Sequence, residues 1–431
     1  MSSLWQADTS LPEFPRLDGD AQTDILVIGG GLAGLLTAYE LRERGADVML
    51  VEKDRICSAT TAHTTAKITV QHGLIFHKLL RSYGVERAGQ YYRANAEAVE
   101  RIQHLCRRFE TPVVQKNNFV FSASRRKLDA ELSAMQKLGI PAIFDEAPPL
   151  PLSTAGAVGI SGQAQFHPLK LAGCLAKDLK ILEHTKVTEL IGTTAVTEHG
   201  RIRAEKLVVA THFPFLNKHG SYFLKLYQHR SYLLALQDAG SMESMYVDDD
   251  KKGMSFSSFG GTLLLGGGGH RTGKHGGGWQ ELRVFVKEHY PDAVETGHWA
   301  AQDTMSLDGI PYIGPYSANT PDLYVAAGFN KWGMTGSMVS AQILSDLILG
   351  RRNEYAEVFS PSRSILKPQL LLNCAETTVN FLFPTTKRCP HLGCALKYNP
   401  EEQSWDCACH GSRFSESGKV LDNPANGDLN R

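Results

Sequence analysis

The sequence has no excess of charge of either sign and no long apolar run. Its 431 residues include 45 basic and 45 acidic ones, so the formal net charge is zero, which excludes the electrostatic footprint typical of nucleic-acid or anionic-membrane binding. No stretch reaches the roughly 18 apolar residues of a membrane span, and the N-terminus has no basic region followed by an apolar one. We therefore predict a soluble, cytoplasmic protein with a small-molecule substrate, no transmembrane segment and no nucleic-acid partner.

Cysteine is sparse outside one C-terminal cluster. Four of the 8 cysteines are scattered along the chain, and a reducing compartment would keep these as buried thiols. A Cys-x-His pair and a Cys-x-x-His pair near the C-terminus fit a Rieske [2Fe–2S] cluster, in which two thiolates hold one iron and two imidazoles the other. The same four ligands would also fit one tetrahedral zinc ion. The cluster consists of Cys389, His391, Cys394, Cys407, Cys409 and His410.

Over residues 373–431 the chain resembles the Rieske family. The resemblance implies that the Ser412 hydroxyl donates a hydrogen bond to a cluster sulfide. Phe414 stands where some high-potential members have a Tyr, and Ala408 where many have a Pro. The missing phenol removes one hydrogen bond to the cluster, so we predict a middling reduction potential. The chain ends just after the turn at 423–425, short of the last strands of a full Rieske fold, which indicates either a truncated sequence or a small domain that leans on its neighbour. The implied cluster ligands are Cys389, His391, Cys407 and His410, and the implied disulfide joins Cys394 to Cys409, which disfavours zinc.

Residues 24–52 follow the pattern of a dinucleotide-binding βαβ unit. A buried strand leads into a glycine-rich turn, an amphipathic helix and a second strand that ends in an acid. Gly29 permits the tight bend, Gly31 lets a diphosphate approach the backbone, and Gly34 lets the helix pack on the strand. Glu52 closes the second strand, where a carboxylate accepts hydrogen bonds from ribose hydroxyls. The unit predicts NAD or FAD binding, with the diphosphate at the helix N-terminus.

Outside this unit the sequence has no second dinucleotide-binding turn, which disfavours reductases that bind NAD(P)H and flavin at two such sites. A second glycine run, at 263–278, is followed by His, Arg and Lys rather than by a helix. It fits a strand that runs into a hairpin, but we favour a flexible loop. Elsewhere the hydrophobic pattern predicts helices at 86–110 and 125–139 and strands at 218–237 and 254–270.

Three further segments indicate which dinucleotide binds. A strand closes on an Ala-Thr turn at 208–214, SLDGIPYIGPY stands at 306–316, and strand, loop and amphipathic helix follow at 325–350. With the βαβ unit, they resemble the FAD-dependent D-amino-acid oxidase superfamily, which includes glycine- and sarcosine-oxidising enzymes. The resemblance implies an α/β FAD-binding fold of the glutathione-reductase-like Rossmann type with an α+β substrate domain, plus a small all-β Rieske domain. The implied boundaries are 1–350 for the FAD-dependent oxidoreductase (FAD-binding segments about 20–80, 150–215 and 300–350; substrate domain about 81–150 and 216–300), 351–372 for a linker and 373–431 for the Rieske domain.

The same resemblance implies which residues contact FAD. The helix expected within 325–350 begins at Gly333. Its N-terminal dipole would point at the flavin and stabilise the negative charge of the reduced ring. His63 stands where dimethylglycine-oxidising relatives bond the flavin covalently, and a noncovalent hydrogen-bonding role is the alternative. Lys67 fits a phosphate or flavin contact, or an ordinary surface position. Besides the turn glycines and Glu52, the predicted FAD contacts are Thr60, Thr61, His63, Val187, Gly328, Trp332, Gly333, Met334 and Thr335.

The substrate site departs from the resemblance at one position. Where amino-acid-oxidising relatives carry an Arg that clamps the substrate carboxylate, this sequence has Asp303. A carboxylate cannot bind another carboxylate, so we expect a cationic amine or a neutral alcohol, unless Asp303 only pairs with a nearby cation. Alternation places Tyr227, His229 and Ser231 on one strand face, and Gln228, Arg230 and Tyr232 on the other. The predicted catalytic residues are His229 and Tyr227 as proton acceptors, Asp303, and Lys331 beside the reduced flavin.

The combination predicts a flavin-dependent dehydrogenase that oxidises a small amine or related molecule. Electrons would pass from FAD through the [2Fe–2S] cluster to an external redox carrier, either a ferredoxin, a cytochrome or a quinone. Two alternatives stay open: a reductase in which the Rieske domain feeds electrons inward to FAD, and a non-catalytic redox-sensing or electron-transfer module. A Rieske oxygenase is disfavoured because no mononuclear iron site of two His and a carboxylate stands out.

Overall fold

A computed structural model describes residues 2–216, 219–250 and 253–429. Within these ranges the strands form four sheets, two large and two small. None of the described helices combines the length and the apolar character needed to cross a membrane. The helices are Leu4–Ala7, Leu32–Glu43, Phe76–Arg108, Arg125–Lys137, Pro168–Ala176, Tyr222–Lys225, Gly278–His289, Gly333–Ile348, Ala356–Phe359 and Pro368–Leu382, with a 3-10 helix at Thr60–His63.

The first large sheet contains the βαβ unit and is mainly parallel. The two strands of that unit are buried along their whole length, as expected where helices cover both faces of a parallel sheet, and this explains their unbroken apolar sequence. The arrangement is that of the α/β Rossmann type predicted from the sequence. The strand order is Tyr312–Pro315, Leu323–Ala327, Lys206–Val209, Ile25–Ile28, Val48–Val51 and Lys180–Leu182, with only the first pair antiparallel.

The second large sheet forms the α+β part of the molecule. Ala157–Phe166 belongs to it, although we expected 150–215 to lie in the FAD-binding part. The reason is a non-local pairing, because Val113–Phe121 takes up the backbone hydrogen bonds of this strand along most of its length. The strand order is Val294–Ser306, Leu226–Gln237, Thr262–Arg271, Ser255–Phe259, Met245–Asp248, Val113–Phe121, Ala157–Phe166 and Lys67–Ile68, with Ile143–Asp145 paired to Ala157–Phe166.

The flexible-loop interpretation of the glycine run is wrong. Thr262–Arg271 is a strand inside the second sheet and is buried almost throughout, and the run then continues into the helix Gly278–His289. A Cβ on Gly269 would lie 2.9 Å from the carbonyl oxygen of Arg230 on the neighbouring strand. Glycine is needed here because two strands approach closely, and not because the chain is flexible.

Two other predicted elements have different bounds. The helix expected at 86–110 begins earlier, at Phe76, and is interrupted by Gly84, whose φ of 78° is outside the helical range. The strand expected at 218–237 begins at Leu226, and position 218 itself lies outside the described residues. The intervening segment forms the short helix Tyr222–Lys225.

The two small sheets serve different parts of the chain. The C-terminal one is an antiparallel meander, as expected for an all-β Rieske domain. The helix Pro368–Leu382 precedes it and crosses position 372, where we expected a linker to end. Within that expected linker, the Arg363 side chain is 9% exposed and pairs with Asp308 at 2.8 Å, which ties the segment to the preceding body. The small sheets consist of Ala21–Gln22, Gly200–Arg203, Thr194–Thr197 and Val187–Ile191, and of Leu396–Asn399, Ser404–Cys407, Arg413–Ser415 and Val420–Asp422.

Candidate functional site

The glycine-rich turn has the close packing that its motif predicts. Gly29 has a φ of 111°, and a Cβ there would lie 2.5 Å from the Ala210 carbonyl oxygen. A Cβ on Gly34 would collide with the carbonyl oxygen of Gly29. Gly31 is the N-cap of the helix Leu32–Glu43, so the turn delivers the chain to a helix N-terminus. Backbone N–H groups at such a terminus are suited to bind a diphosphate.

Glu52 and Thr61 connect neighbouring loops to this turn. Glu52 Oε2 accepts a hydrogen bond from the Gly30 N–H at 2.6 Å, and its Oε1 accepts one from the Asp54 N–H at 3.0 Å. Burial raises the pKa of the Glu52 carboxyl. The Thr61 hydroxyl accepts a hydrogen bond from the Leu32 N–H at 3.1 Å. Both side chains therefore lie beside the glycine-rich turn, and their contacts with the dinucleotide stay predictions.

A cavity of about 440 Å³, here called the pocket, opens between the second sheet and the N-terminal end of the helix Gly333–Ile348. It brings together residues that the sequence predicts for two tasks, flavin binding and catalysis. Those that line it are Thr60, His63, Tyr227, His229, Asp303, Lys331, Trp332, Gly333 and Met334. Those outside its lining are Gly29, Gly31, Gly34, Glu52, Thr61, Val187, Gly328 and Thr335.

The start of the helix at Gly333 is fixed by its flanking residues. Lys331 has a φ of 74°, which few non-glycine residues adopt, and Trp332 is the N-cap. Within the first turn, Thr335 Oγ1 donates a hydrogen bond to the Thr69 carbonyl oxygen at 3.1 Å and accepts one from the Thr69 N–H at 3.0 Å. The positive end of the helix dipole is thereby held at the pocket.

His63 and Lys67 line the pocket with lowered pKa values. His63 Nδ1 lies 2.8 Å from the Ala59 carbonyl oxygen, so Nδ1 carries the proton because a carbonyl only accepts. Burial lowers the pKa of His63, and it lowers that of Lys67 to about 7. With its side chain buried, Lys67 is not the ordinary surface lysine considered as an alternative.

Two neighbouring strands, Leu226–Gln237 and Val294–Ser306, form one side of the pocket and are here called the wall strands. Their pocket face carries Tyr227 and His229, as the alternation predicts, and Asp303 stands directly opposite His229. Burial raises the pKa of Asp303, while the charges of Lys331, His212 and Arg230 favour its ionised form. The pocket therefore contains a partly buried carboxylate at the position where the resemblance predicts a substrate-binding cation.

The four predicted cluster ligands come together on two loops, here called the cluster loops, 389–394 and 407–412. The thiols of Cys389 and Cys407 are buried within hydrogen-bond reach of each other, and the rings of His391 and His410 lie 4.9 Å apart. His410 is 3% exposed, and its Nδ1 has no hydrogen-bond partner within the described part of the chain. A buried imidazole nitrogen left in this way fits a metal ligand.

The predicted disulfide is confirmed: Cys394 and Cys409 are joined, with their Cα atoms 6.7 Å apart. The sulfurs of these two residues and of Cys407 lie within 4.8 Å of one another, but of the three only Cys407 has a thiol outside the disulfide. The Ser412 hydroxyl accepts a hydrogen bond from the Ala425 N–H at 3.0 Å and lies within reach of a cluster-loop thiol. Its hydrogen bond to a cluster sulfide stays a prediction.

The opposite side of the wall strands, here called the cluster face, packs against the C-terminal region. Side chains that alternate with the pocket-facing ones reach across this interface and are buried there. The pocket and the cluster loops therefore lie on opposite sides of the same two strands. The crossing bonds include three of 2.9 Å, from Arg230 Nε to Glu402 Oε1, from Gln302 Nε2 to the Gly411 carbonyl oxygen, and from Gln228 Nε2 to the Asn423 carbonyl oxygen.

Two residues beside the cluster loops escaped the sequence analysis. The Phe213 ring lies 6.5 Å from that of His391 and 6.4 Å from that of His410, and Gln302 bonds to the second loop. A signal existed only for Gln302, because its place next to Asp303 on a strand turns it to the opposite face. Nothing local to Phe213 indicates that it meets a segment so distant in the chain.

Val187 and Gly328 are two of the predicted FAD contacts that lie outside the pocket lining. Val187 is buried and begins the strand Val187–Ile191, in the small sheet that also contains Ala21–Gln22. Gly328 has a φ of 75°, and a Cβ there would lie 3.0 Å from the side chain of Leu226, so close packing accounts for this glycine. Their contacts with FAD stay predictions.

Comparison with known proteins matches both parts of this site. The family model for FAD dependent oxidoreductases (DAO) matches residues 24–347, and that for the Rieske [2Fe-2S] domain matches residues 370–431. The chain is 32% identical over 493 residues to YhfW of Bacillus subtilis (strain 168), a Rieske 2Fe-2S iron-sulfur protein by name, with 98% of this chain and 96% of the relative covered.

Solved structures share the fold of the larger part. Glycine oxidase from Geobacillus kaustophilus is 20% identical, with a TM-score of 0.67 over 80% of this chain and 99% of that chain. L-proline dehydrogenase from P. horikoshii is 19% identical, with a TM-score of 0.67 over 80% of this chain and 98% of that chain. The predicted fold class and the two cofactors, FAD and a [2Fe–2S] cluster, are thereby confirmed.

Proposed function

Because the chain belongs to the family of FAD dependent oxidoreductases (DAO) and carries a C-terminal Rieske [2Fe-2S] domain, we propose that it is a dehydrogenase that oxidises a small amine and exports the electrons through its cluster. The shared wall carries this proposal: the pocket and the cluster loops lie on opposite sides of two strands. When bound, FAD supplies two-electron oxidation and the cluster supplies one-electron transfer.

The glycine-rich turn and the pocket suit different parts of FAD. The glycine turn and the helix N-terminus at Leu32 suit the diphosphate, and Glu52 suits the ribose. The pocket end, with the helix that begins at Gly333, suits the flavin ring. In the C-terminal region, the two Cys and two His of the cluster loops are the ligand set for the iron atoms, and His410 contributes a buried Nδ1.

The substrate class follows from the carboxylate on the pocket face. Glycine oxidase and L-proline dehydrogenase are named for amino-acid substrates, whose carboxylate needs a cation, yet the pocket presents Asp303. Burial makes the ionised form of Asp303 costly, as its raised pKa indicates, and a bound cation would lower that cost. A protonated amine would also donate a charge-assisted hydrogen bond to Asp303.

Pocket residues are available to take the proton that an amine loses on oxidation. Tyr227 keeps its own proton at neutral pH, because burial raises its pKa, and so it acts only as a donor. His229 lies on the same face. Burial lowers the pKa of Lys67 to about 7. Near that pH the Lys67 amine is neutral in about half of the molecules and can accept a proton. This favours His229 and Lys67 over Tyr227 as proton acceptors.

Electron balance requires an external acceptor. Conversion of an amine to an imine releases one hydride, which carries two electrons, and one proton. A [2Fe–2S] cluster takes one electron at a time, so a one-electron carrier must reoxidise it twice in each turnover. A ferredoxin, a cytochrome or a quinone meets this requirement.

An anaerobic absorbance titration of the protein, loaded with both cofactors, tests the proposal. The donors are amines, N-methylated amino acids, alcohols, 2-hydroxy acids and NAD(P)H. We expect one class of amine to bleach the flavin first, with a Rieske EPR signal of the reduced cluster growing afterwards. If no donor bleaches the flavin but a reduced ferredoxin fills the cluster, electrons flow inward and the proposal is wrong.

A further inference from the structure

Gln302 connects the pocket to a cluster loop through the wall. It is 3% exposed and lies between Ala301 and Asp303, which both line the pocket. Its backbone carbonyl oxygen accepts a hydrogen bond from Thr60 Oγ1 at 3.3 Å, and Thr60 belongs to the pocket lining. Its side chain extends to the cluster face, where Nε2 donates to the Gly411 carbonyl oxygen at 2.9 Å.

The Gln302 amide is held at both ends. Its Oε1 accepts a hydrogen bond from Thr272 Oγ1 at 3.1 Å, and its Nε2 is committed to Gly411, so the two partners together define the amide orientation. This pairing satisfies a polar group that is otherwise buried at a cost. The side chain is therefore fixed in place and transmits the position of the wall strand to the loop.

Gly411 is the point at which this loop touches the wall. Its φ is 86°, and a Cβ there would collide with the side chain of Gln228, so only glycine allows so close an approach. Gly411 follows His410 directly, and its N–H donates to the Cys407 carbonyl oxygen at 2.9 Å. The residue that Gln302 holds is thus bonded on both sides to proposed cluster ligands.

We propose that Gln302 is a positioning residue for electron exchange between the pocket and the cluster. By holding Gly411, it fixes the backbone that carries His410, whose ring lies beside those of Phe213 and Phe223. It also completes a route from Thr60 to His410 in which only the 3.3 Å and 2.9 Å hydrogen bonds are not covalent. Each transfer moves one electron from reduced flavin to one ferric ion of the cluster. Gln302 carries no proton, and none of its covalent bonds forms or breaks.

The test compares Gln302→Leu with the wild-type protein, both loaded with FAD and cluster. A light pulse reduces the flavin with EDTA as the electron donor, and rapid freezing followed by EPR measures how fast the cluster is reduced. We expect this rate to fall roughly 10- to 100-fold, the usual effect of losing an outer-shell partner of a metal site. The g values and the midpoint potential of the cluster should stay unchanged, because its ligands remain.

Gln228→Leu is the control for packing on Gly411 without a hydrogen bond to it. Gln228 is also buried on the cluster face, and its side chain packs directly against Gly411, but its amide donates to the Asn423 carbonyl oxygen, outside the cluster loops. The variant therefore alters the packing on Gly411 without removing the hydrogen bond from Gln302. This variant should keep the wild-type rate of cluster reduction. Equal slowing in both variants would contradict the inference, because it would assign the effect to general loosening of the interface.

A second variant covers failure of the first to assemble. If Gln302→Leu loses its cluster, Gln302→Met, which keeps the side-chain length but has no hydrogen-bond donor, is measured instead. Slow reduction of a retained cluster supports the inference, and an unchanged rate overturns it. Loss of the cluster from both variants also overturns it, because Gln302 would then be a structural residue.

The inference rests on the proposed function, and the two fail differently. If the wild-type cluster stays oxidised after the flavin is photoreduced, the proposed electron exchange itself is wrong. If the wild-type cluster is reduced and Gln302→Leu is reduced equally fast, only the role of Gln302 is wrong.

Discussion

The pKa shifts of ionisable groups have different causes in the pocket and at the interface between the wall strands and the C-terminal region. Around the pocket, burial dominates: the pKa of Lys67 falls to about 7, and that of Asp303 rises. At the interface, burial also opposes ionisation, but opposite charges outweigh it. There the pKa of Glu402 is lowered by Arg230 and Arg413, and that of Arg413 is raised by its acidic neighbours. One side of the wall favours neutral forms, and the other favours charged ones.

This difference distinguishes the ionisable groups of a binding site from those that hold two domains together. Glu402 receives hydrogen bonds from Arg230, Tyr232 and Arg413, so its charge is compensated within the protein. A buried ion network of this kind is costly to interrupt. Lys67 and Asp303 instead have pKa values displaced toward the range in which protons are exchanged, which is typical of reactive sites.

The largest effect is expected from loss of a cluster ligand, which should remove the cluster and leave the flavin in the pocket. Cys407→Ser should abolish the Rieske EPR signal and reduce bound iron to background, because a thiolate ligand is lost. The flavin spectrum should remain, since Cys407 does not line the pocket. Cys374→Ser is the control, because Cys374 is a free thiol that is exposed and not buried as the sequence analysis expected. A Rieske signal retained in Cys407→Ser, or zinc in place of iron in the wild type, would contradict the ligand assignment.

The next-largest effect concerns protons on the pocket side. The amine of Lys67 loses its proton as pH rises through about 7, so the rate of flavin reduction by substrate should rise across that pH and then level off. Lys67→Met should lack this limb and lose roughly 10²- to 10⁴-fold of the plateau rate, the usual contribution of a general base. Stopped-flow absorbance against pH measures both.

Lys67→Arg separates charge from proton transfer. An arginine stays charged throughout this pH range, so this variant should be slow at every pH if Lys67 accepts a proton. A pH limb that persists in Lys67→Met would assign the titration to another pocket residue, with His229 the first candidate.

The sequence predicted each region's local motif but not the wall between them. The turn at Gly29 and the ligand pair Cys407 and His410 are recognisable because a few residues of fixed spacing impose the geometry. The contact of Gln302 with Gly411 joins positions 109 residues apart, and no local pattern encodes such a pairing. The alternation correctly separated Tyr227 and His229, on the pocket face, from Gln228 and Arg230, on the cluster face. It could not show what each face meets.

A smaller effect is expected from weakening the interface. Glu402→Gln leaves the buried Arg230 guanidinium without its ionic partner; their side chains are 5% and 9% exposed. Breaking a buried pair in this way costs about 3–5 kcal/mol, so the cluster absorbance should disappear at a lower temperature while flavin release is unchanged. Glu401→Gln is the control, since Glu401 is exposed. Equal thermal loss in the two variants would contradict the assigned role.

The same pair has a defined pH dependence. Because the folded-state pKa of Glu402 lies below its ordinary value, its stabilisation is present above the unfolded-state pKa and is lost as pH falls through the folded value. The wild type should therefore approach the thermal behaviour of Glu402→Gln in acid. A constant difference between the two proteins down to acid pH would contradict this reasoning.

The smallest effect is expected from an acid-to-amide change at Asp303, on the pocket face. Together with Glu402→Gln, this variant compares the two sides of the wall directly. Asp303→Asn removes one charge-assisted hydrogen bond to a cationic amine, worth about 1.5–3 kcal/mol, so kcat/KM for that amine should fall roughly 10- to 100-fold. A neutral substrate should lose less, and thermal stability should hold, because burial already disfavours the Asp303 charge. Equal losses for cationic and neutral substrates would mean that Asp303 only shapes the pocket. Selectivity lost at Asp303 and stability lost at Glu402 would show that the two sides of one wall perform separate tasks.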